Sequence, residues 1–443
     1  MIRIRSISSA ILLLTLALAT ASAATAQQLD RIDRERFQAI LKNLRSELKK
    51  NYYDPNFKGV DIEARFSQAD EKIRAATTPG QARSAIAWAL DGLNDSHLFF
   101  IPPTSTASYQ YGWRMEMLGD TCLITAVRPK SDADKQGVKP GDEILKLNGF
   151  KPTRKDLWKM RYFFNVLQPQ PAMRLELRSP DGTVRTVQAL AQMRQRKHTL
   201  ENEFDLDYLE REIENDERVS ESRFHEMGEE LMIWQMPDFG ITEEQVDGVM
   251  SKARQHKALI LDLRGNPGGY VKTLNRLVSY FFEKDLKLWD RVGRAEKAKD
   301  LKPEIAKTRG SGKIFTGKLI VLVGSPSASA AELFARTVQL EKRGLLIGDL
   351  TSGAVMEAMG QSFELGADVQ IFYAASITRA DLIMSDGKTL EHSGVTPDER
   401  MLPTAADLAA GRDPVLSYAA SLCGVKLSPE AAGKLFPVRW TNP

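Results

Sequence analysis

Apolar residues recur at helical spacing in the first part of the chain that follows an apolar N-terminal stretch. One such run comprises Phe37, Ile40, Leu41, Leu44 and Leu48. A second run covers residues 82–93 and follows the break at Thr78-Pro79-Gly80. Because residues spaced by three and four positions lie on one face of a helix, residues 27–103 are predicted to form a helical domain.

The pattern changes from helical to strand-like in residues 104–195. Residues 113–118 alternate between apolar and polar side chains, and residues 121–127 are rich in β-branched ones. Residues 143–147 form another short apolar run, which ends at Asn148-Gly149, a frequent turn pair. These features predict a β-rich domain inserted after the helices.

Residues 196–230 are highly charged and weakly patterned, which predicts a linker. The rest of the chain, residues 231–443, alternates predicted strands and helices. The strands are 231–235, 258–263 and 318–323, and the helices are 243–256 and 270–282. This alternation implies parallel strands joined by crossing helices, so the predicted fold class of this part is an α/β core.

One of these strands leads into a turn that is rich in small hydroxyl-bearing residues. The apolar run 319–323 ends at Gly324-Ser325-Pro326, and Ser327, Ser329 and alanines precede a helix that starts near Glu332. A serine on a sharp strand-to-helix turn can act as a nucleophile, since helix N-terminal N–H groups can hold an oxyanion. The same residues are also typical helix caps, so this stretch alone leaves both interpretations open.

The first 26 residues differ from the rest. Arg3 and Arg5 precede the apolar run 11–18, and small residues at 21–26 offer a cleavage site. This arrangement predicts a cleaved secretory signal, and therefore a mature protein in the periplasm or outside the cell. No later apolar run reaches about 18 residues, so no membrane span is expected in the mature chain.

Composition and charge narrow the choice of partners. The chain is 42% hydrophobic and 27% charged, as is typical of soluble globular proteins. Its formal net charge of +3 falls to +1 without Arg3 and Arg5, so nothing predicts a nucleic-acid partner. An exported chain permits a disulfide between Cys122 and Cys423, but Cys122 lies in a predicted strand, which favours a buried free thiol.

A glycine-rich loop, residues 262–269, follows the strand 258–263 and precedes a helix. Such a loop can turn backbone N–H groups toward an anion. It lacks the Gly-Lys-Ser/Thr ending and the G-x-G-x-x-G spacing of nucleotide-binding loops. The five histidines are scattered and no H-E-x-x-H occurs, so neither a metal nor another cofactor is predicted.

Two parts of the chain resemble known families. The series AVRPKSDADKQGVKPGDEILKLNG, residues 126–149, resembles a PDZ domain. By this resemblance Tyr111, Gly112, Trp113 and Arg114 form a carboxylate-binding loop, whose N–H groups hold a peptide C-terminus while a strand edge pairs with the peptide.

The second resemblance is to the S41 peptidases, and it covers nearly all of the mature chain. It rests on LILDLRGNPGG (259–269), SASAAE (327–332) and EHSGVTPD (391–398), in that order. It implies a crotonase- or ClpP-like α/β core. It also implies Ser329 as the nucleophile, with an oxyanion hole formed by the N–H of Ala330 and that of Gly268 or Gly269.

The chain departs from one branch of that family and matches another. Processing proteases take their base from a lysine that ends a Thr-x-Gly-Lys turn, and here Ala354 stands in its place. The tricorn branch instead uses a histidine from the helical domain and a glutamate. His97, which alone would be read as a helix cap, matches that histidine. Ser96 and Glu391 match its partners, and His392 is a weaker candidate base.

The resemblance therefore predicts an exported serine endopeptidase with Ser329, His97 and Glu391 as a triad. Its substrates would be unfolded or extended polypeptides. The missing lysine motivates an alternative from another class, a non-catalytic protein of this fold that binds peptides or lipids. The two hypotheses differ in whether His97 comes within reach of Ser329.

Overall fold

A computed structural model describes residues 28–103, 107–195, 221–310, 313–366 and 370–441. The predicted signal segment 1–26 and the first part of the predicted linker lie outside these residues. Three helices open the described chain: α1 (Arg31–Asn51), α2 (Ile62–Ala75) and α3 (Pro79–Asp91). Each begins after a capping side chain, namely Asp30, Asp61 and Thr78. The helical region predicted from periodicity is therefore present.

The helices are followed by two short strands and a five-stranded antiparallel sheet. The two strands are β1 (Phe99–Ile101) and β2 (Ala107–Gln110). The sheet comprises β3 (Trp113–Leu118), β4 (Thr121–Val127), β5 (Glu143–Leu147), β6 (Ala172–Arg178) and β7 (Val184–Leu190), in that order. The short helices α4 (Asp132–Lys135) and α5 (Leu157–Arg161) belong to it, and β8 (Gln192–Gln195) pairs with β2. This inserted sheet occupies the predicted β-rich region.

A six-stranded sheet forms the α/β core. Its strands are β9 (Arg223–Met227), β10 (Leu231–Gln235), β11 (Ala258–Asp262), β14 (Lys318–Val323), β15 (Leu345–Gly348) and β18 (Glu399–Arg400). The order is β18-β15-β14-β11-β10-β9, and every pair except β9 with β10 is parallel. The predicted parallel pairing is thus present. The linker prediction is wrong for Arg223–Met227, because alternation was too weak to reveal an edge strand.

Helices cover both faces of the core sheet. They are α6 (Glu243–Ala253), α7 (Val271–Val278), α8 (Ala330–Leu340), α9 (Ala405–Ala409), α10 (Pro414–Leu422) and α11 (Pro429–Leu435). Trp234 and Val321 pack with Phe334 of α8 on one face, while Ile320 packs with Leu416 of α10 on the other. Burial on both faces explains why these strands are continuous apolar runs. Among the described residues, no helix has the length and apolar character needed to cross a membrane.

A second, antiparallel sheet joins the helical region to the core. It contains β1, β12 (Leu286–Val292), β13 (Glu304–Ala306), β16 (Met356–Leu365) and the long β17 (Ile371–Met384). Strand β1 pairs with β17, so Phe99 lies opposite Ser376. The predicted helical domain therefore does not stand apart, since its last residues form a strand beside a much later segment. This pairing brings the residues just before β1 to the core.

The inserted sheet contacts the core through Asp349, whose carboxylate is buried. Arg154 donates to this carboxylate and, over 3.0 Å, to the Leu350 carbonyl, and the Gly119 N–H donates to Asp349 over 2.8 Å. Cys122 is buried in β4, and it and Cys423 are both free thiols, as favoured from the sequence.

Candidate active site

Ser329 lies on the turn between strand β14 and helix α8, in a backbone conformation that is rare for a residue with a side chain. Its φ is 51° and its ψ is −118°. Its N–H donates to the Ala354 carbonyl over 2.9 Å. Non-glycine residues with positive φ are strained and cluster at functional sites. The predicted nucleophile thus occupies a sharp strand-to-helix turn.

The three serines of this turn have different roles. The Ser327 hydroxyl is fully buried and donates to the Leu263 carbonyl over 2.7 Å. The Ser325 hydroxyl donates to the Met117 carbonyl of the inserted sheet over 2.5 Å. Ser329 begins helix α8 in a capping box with Glu332, and it lines a large cavity. Of the three, Ser329 combines an unusual backbone conformation with a place in the cavity lining, while the hydroxyls of Ser325 and Ser327 donate to carbonyls.

Glu332, three residues after Ser329, holds the serine turn from below. Its buried carboxylate accepts the N–H groups of Ser329 (3.2 Å), Gly353 (2.8 Å) and Ala354 (3.0 Å), and the hydroxyl of Thr351. Burial raises the pKa of Glu332 to about 7, although these donors oppose the shift. The segment that lacks the family lysine is therefore bound to the serine turn through its backbone.

The glycine loop after strand β11 lies against the serine turn. A Cβ on Gly268, whose φ is +109°, would lie 2.6 Å from the Ser329 Cβ and 3.0 Å from the Ala330 nitrogen. Only glycine fits at this distance. The Gly268 N–H donates to the buried Asn266 side chain over 2.9 Å, so it is already bonded. Of the two predicted glycine donors, Gly269 is the one without such a partner among the described contacts.

His97, Ser96 and Glu391 are brought together as predicted, but with Ser96 in the middle. The Ser96 hydroxyl donates to Glu391 Oε2 over 2.8 Å and lies 2.8 Å from His97 Nδ1. The Ser96 N–H also donates to Glu391 Oε1 over 2.9 Å. The His97 ring and the Glu391 carboxylate are therefore joined through the Ser96 hydroxyl. Burial lowers the pKa of His97, and the charges of Glu391 and Asp95 oppose the shift.

Ser329 and His97 line the same cavity, whose volume is about 1620 Å³. Gly268, Gly269 and Ala330 line it as well. Among the described residues, no hydrogen bond joins the Ser329 hydroxyl to the His97 ring. Such bonds are often long in a site without substrate and tighten when substrate binds.

His392 is exposed, and its Nε2 lies 2.9 Å from the Asn94 carbonyl and 3.4 Å from Glu391 Oε1. Its backbone has a φ of 61°, as in a turn, and its N–H donates to the Gly353 carbonyl over 2.7 Å. This ring nitrogen is therefore already engaged, and both His392 and His97 line the cavity.

The residues predicted to bind a peptide carboxylate lie at the start of β3 and are all buried. The Tyr111 hydroxyl donates to the Gln170 carbonyl over 2.8 Å, and the Gly112 carbonyl accepts the Arg128 N–H over 2.7 Å. Of the four, Arg114 lines the cavity, and its side chain donates to Glu116 over 2.8 Å. Trp113 packs against the Tyr111 ring.

Sequence reasoning missed three residues that support the site: Glu332, Asn266 and Asp95. Each is a polar residue within three positions of a predicted site residue, and each accepts a backbone N–H. Their proximity to motifs was a usable signal for Glu332 and Asn266. Asp95 carried the same signal, since it directly precedes Ser96 and His97.

This chain is similar to known proteins. Residues 231–401 match the model of Peptidase family S41. The carboxy-terminal processing protease CtpA of Bacillus subtilis is 27% identical over 314 residues, which cover 69% of this chain and 59% of that protein. Putative tricorn protease homolog 2 of Streptomyces coelicolor is 28% identical over 165 residues, 37% of this chain and 13% of that protein. The matched segments span 59% of the length of CtpA. They span 63% and 67% of the probable CtpA-like serine proteases of Staphylococcus saprophyticus and Staphylococcus haemolyticus.

Solved structures share the fold. Mature CPAF superposes with a TM-score of 0.63 and 16% identity, covering 85% of this chain and 94% of CPAF. The photosystem II D1 C-terminal processing protease gives a TM-score of 0.50 and 18% identity, covering 90% and 99%. The resemblance predicted from the motifs is confirmed: residues 231–401 match Peptidase family S41, and the chain is similar to a carboxy-terminal processing protease.

Proposed function

We propose that this protein is a serine endopeptidase that hydrolyses extended polypeptides through an acyl-enzyme on Ser329. The observation that carries the proposal is the chain of hydrogen bonds from Glu391 through Ser96 to His97, beside a cavity that Ser329 also lines. Its relatives named as carboxy-terminal processing proteases support the reaction class. The base in this proposal is His97, because Ala354 offers none.

This relay of hydrogen bonds from Glu391 through Ser96 to His97 fixes the tautomer of the base. The Ser96 hydroxyl has one hydrogen, which it donates to Glu391, so it can only accept from His97 Nδ1. In the neutral ring, Nδ1 then carries the proton and Nε2 holds a lone pair. Nε2 accepts the Ser329 proton as the hydroxyl attacks, and later returns it to the leaving amine.

The oxyanion that forms would lie at the start of helix α8. In this proposal its donors are the N–H groups of Ala330 and Gly269, since Asn266 already accepts the Gly268 N–H. One such donor typically contributes about 3 to 4 kcal/mol to transition-state stabilisation. The role of Gly268 is then steric, because its missing side chain lets the loop approach Ser329.

The turn that carries a lysine in processing proteases keeps a structural role in this reading. The Ala354 carbonyl accepts the Ser329 N–H, and the Ala354 N–H binds Glu332. Both interactions use the backbone, so they tolerate any side chain. Loss of the lysine therefore leaves the serine turn intact while a histidine supplies the base.

We extend the proposal to the remaining parts of the chain. The inserted sheet is PDZ-like and presents C-terminal residues of substrates, and the core is related to the crotonase fold. The protein acts after export, in the periplasm or outside the cell. The cavity is lined largely by apolar side chains, among them Phe99, Trp158 and Phe163, which suits the apolar side chains that an unfolded polypeptide exposes.

One observation favours a second function. The described contacts include no hydrogen bond between Ser329 and His97, as expected for a relative that binds peptides or lipids without cleaving them. The two functions predict different reactivity of Ser329. A binding protein would keep the cavity but would not activate the hydroxyl.

The test is covalent labelling of the folded protein with a fluorophosphonate probe. The peptidase proposal expects labelling of the wild type and its loss in both Ser329→Ala and His97→Ala. Ser393→Ala serves as the matched control, because Ser393 lines the same cavity outside the relay. An unlabelled wild type, with native folding shown by circular dichroism, would support the binding function instead.

A further inference from the structure

The Asp95 carboxylate contacts the backbone of the proposed base and two hydroxyl groups of the surrounding fold. It has no role in the proposed steps of peptide hydrolysis. Its Oδ1 accepts the His97 N–H over 3.0 Å and the Thr378 hydroxyl over 2.8 Å. Its Oδ2 accepts the Tyr52 hydroxyl over 2.9 Å. The carboxylate thus binds the main chain of the base with one oxygen and the surrounding fold with both.

The two hydroxyl partners come from rigid, buried positions. Tyr52 follows helix α1 and is fully buried, and Thr378 lies in β17 and is also fully buried. The Tyr53 N–H donates to the Thr378 carbonyl over 3.1 Å, which joins the end of α1 to β17 directly. The segment that contains Asp95 and His97 is therefore bonded to the end of α1 and to β17, which are far apart in sequence. Side chains fixed by packing hold catalytic groups more accurately than loops do.

We propose that Asp95 is a positioning residue for His97 and the second carboxylate that stabilises its protonated ring. This inference rests on the proposed peptidase function. The relay leaves His97 without a direct carboxylate partner, because the Ser96 hydroxyl separates the ring from Glu391. A second negative charge within the same segment compensates for this separation. Asp95 acts through His97 and touches no substrate.

Other ionisable groups surround the pair and define what a pH experiment reads. Asp381 lies in β17 and Glu391 in a turn after it, and His392 contacts Asn94. Lys58 donates to the Asn94 carbonyl over 3.0 Å, and Tyr52 and Tyr53 close the α1 side. The charges of Asp95 and Glu391 both oppose the lowering of the His97 pKa by burial.

The test is the pH profile of peptide hydrolysis in Asp95→Asn. Asparagine has the same shape and still accepts the His97 and Thr378 bonds, while the Tyr52 hydroxyl can turn to accept from its amide. The variant therefore removes charge and keeps geometry. We expect the acidic limb of kcat/KM to move to lower pH by about one unit, and the plateau kcat to fall about tenfold with KM unchanged.

A second pair of variants gives an opposite shift. Thr378→Val removes one donor to the Asp95 carboxylate, leaves its charge less offset, and should move the acidic limb to higher pH. Thr378→Ser keeps the donor and should leave the limb in place. This pair reads the same inference if Asp95→Asn does not fold, as judged by thermal unfolding.

The outcomes separate this inference from the proposed function. If the wild type hydrolyses peptide, His97→Ala is inactive, and neither Asp95→Asn nor Thr378→Val shifts the limb, the role of Asp95 is overturned and the peptidase stands. If folded wild type shows neither hydrolysis nor probe labelling, the proposed function fails and the inference with it. Shifts of opposite sign in the two variants would support both.

Discussion

The candidate site has a serine half, which is Ser329 with the turns around it, and a base half, which is the proposed base His97 with Ser96 and Glu391. The two halves are built in different ways. In the serine half, the residues around Ser329 come from short turns at the ends of adjacent parallel strands, and the buried carboxylate of Glu332 binds them together. In the base half, Ser96 and Glu391 are 295 positions apart, and the β1–β17 pairing helps to bring them together. The first half is set by local turn chemistry, and the second depends on long-range assembly.

This difference has an energetic consequence. The parallel core places the ends of β11 and β14 side by side, so the glycine loop and the serine turn meet whenever that sheet forms. The base segment is ordered by contacts with α1, β17 and the turn at Glu391. We therefore expect changes in the base half to alter activity before they alter stability, and a change at Glu332 to do the reverse.

The largest expected effect comes from removing the base. His97→Ala should lower kcat/KM for an unfolded polypeptide by about 10³-fold or more, because the serine proton loses its acceptor. The matched variant His392→Ala should change it by less than about fivefold, since the Nε2 of that ring is already engaged. Steady-state hydrolysis of a fluorogenic peptide checks both. The reverse order of effects would reassign the base to His392.

The next effect is on stability and concerns Glu332. Burial raises its pKa to about 7 from the ordinary 4.5, so the native state binds this proton more tightly than the unfolded chain. The resulting stabilisation is fully present below about pH 4.5 and is lost as the pH rises through about 7, a change of about 3 kcal/mol. Glu332→Gln, which carries no titrating group, should lose this part of the pH dependence.

Urea unfolding at several pH values measures the Glu332 effect. Glu341→Gln, at the exposed end of the same helix, is the control and should keep the wild-type slope. Identical pH slopes in wild type and Glu332→Gln would show that the Glu332 side chain does not have a raised pKa in the folded protein.

A smaller effect is expected from breaking the relay. Ser96→Ala removes the hydroxyl between His97 and Glu391, so the ring keeps its place but loses the bond that fixes its tautomer. We expect kcat to fall by about 10- to 100-fold with little change in KM. Ser96→Thr, which retains a hydroxyl, should recover part of the loss. Equal activity of Ser96→Ala and wild type would remove Ser96 from the mechanism.

The smallest expected effect concerns the inserted sheet. Peptides with a free C-terminus should bind about tenfold more tightly than their amidated forms, if the loop from Tyr111 to Arg114 holds the carboxylate. The effect should stay small because all four residues of this loop are buried. Fluorescence anisotropy on Ser329→Ala measures it. Equal affinities would end the carboxylate-binding hypothesis.

The sequence by itself determined several individual helices, strands and turns of the fold. Helical spacing predicted α1 and α3, and continuous apolar runs predicted the parallel strands β10, β11 and β14. The glycine loop and the serine turn marked the ends of β11 and β14, whereas α2, β15 and β18 were not predicted individually. These features are local, because a strand's burial and a turn's backbone angles are fixed by neighbouring residues. The motif order was sufficient to identify the S41 relationship.

Only the tertiary structure decided how the base is assembled and held. Periodicity assigned Arg223–Met227 to a linker, although partner residues across a sheet make it a strand. The motifs named Ser96, His97 and Glu391, yet the hydroxyl between ring and carboxylate, and the bonds of Asp95 to Tyr52 and Thr378, became visible only in three dimensions. Hydrogen bonds between distant segments depend on the angles and distances of packed elements, which no local pattern encodes.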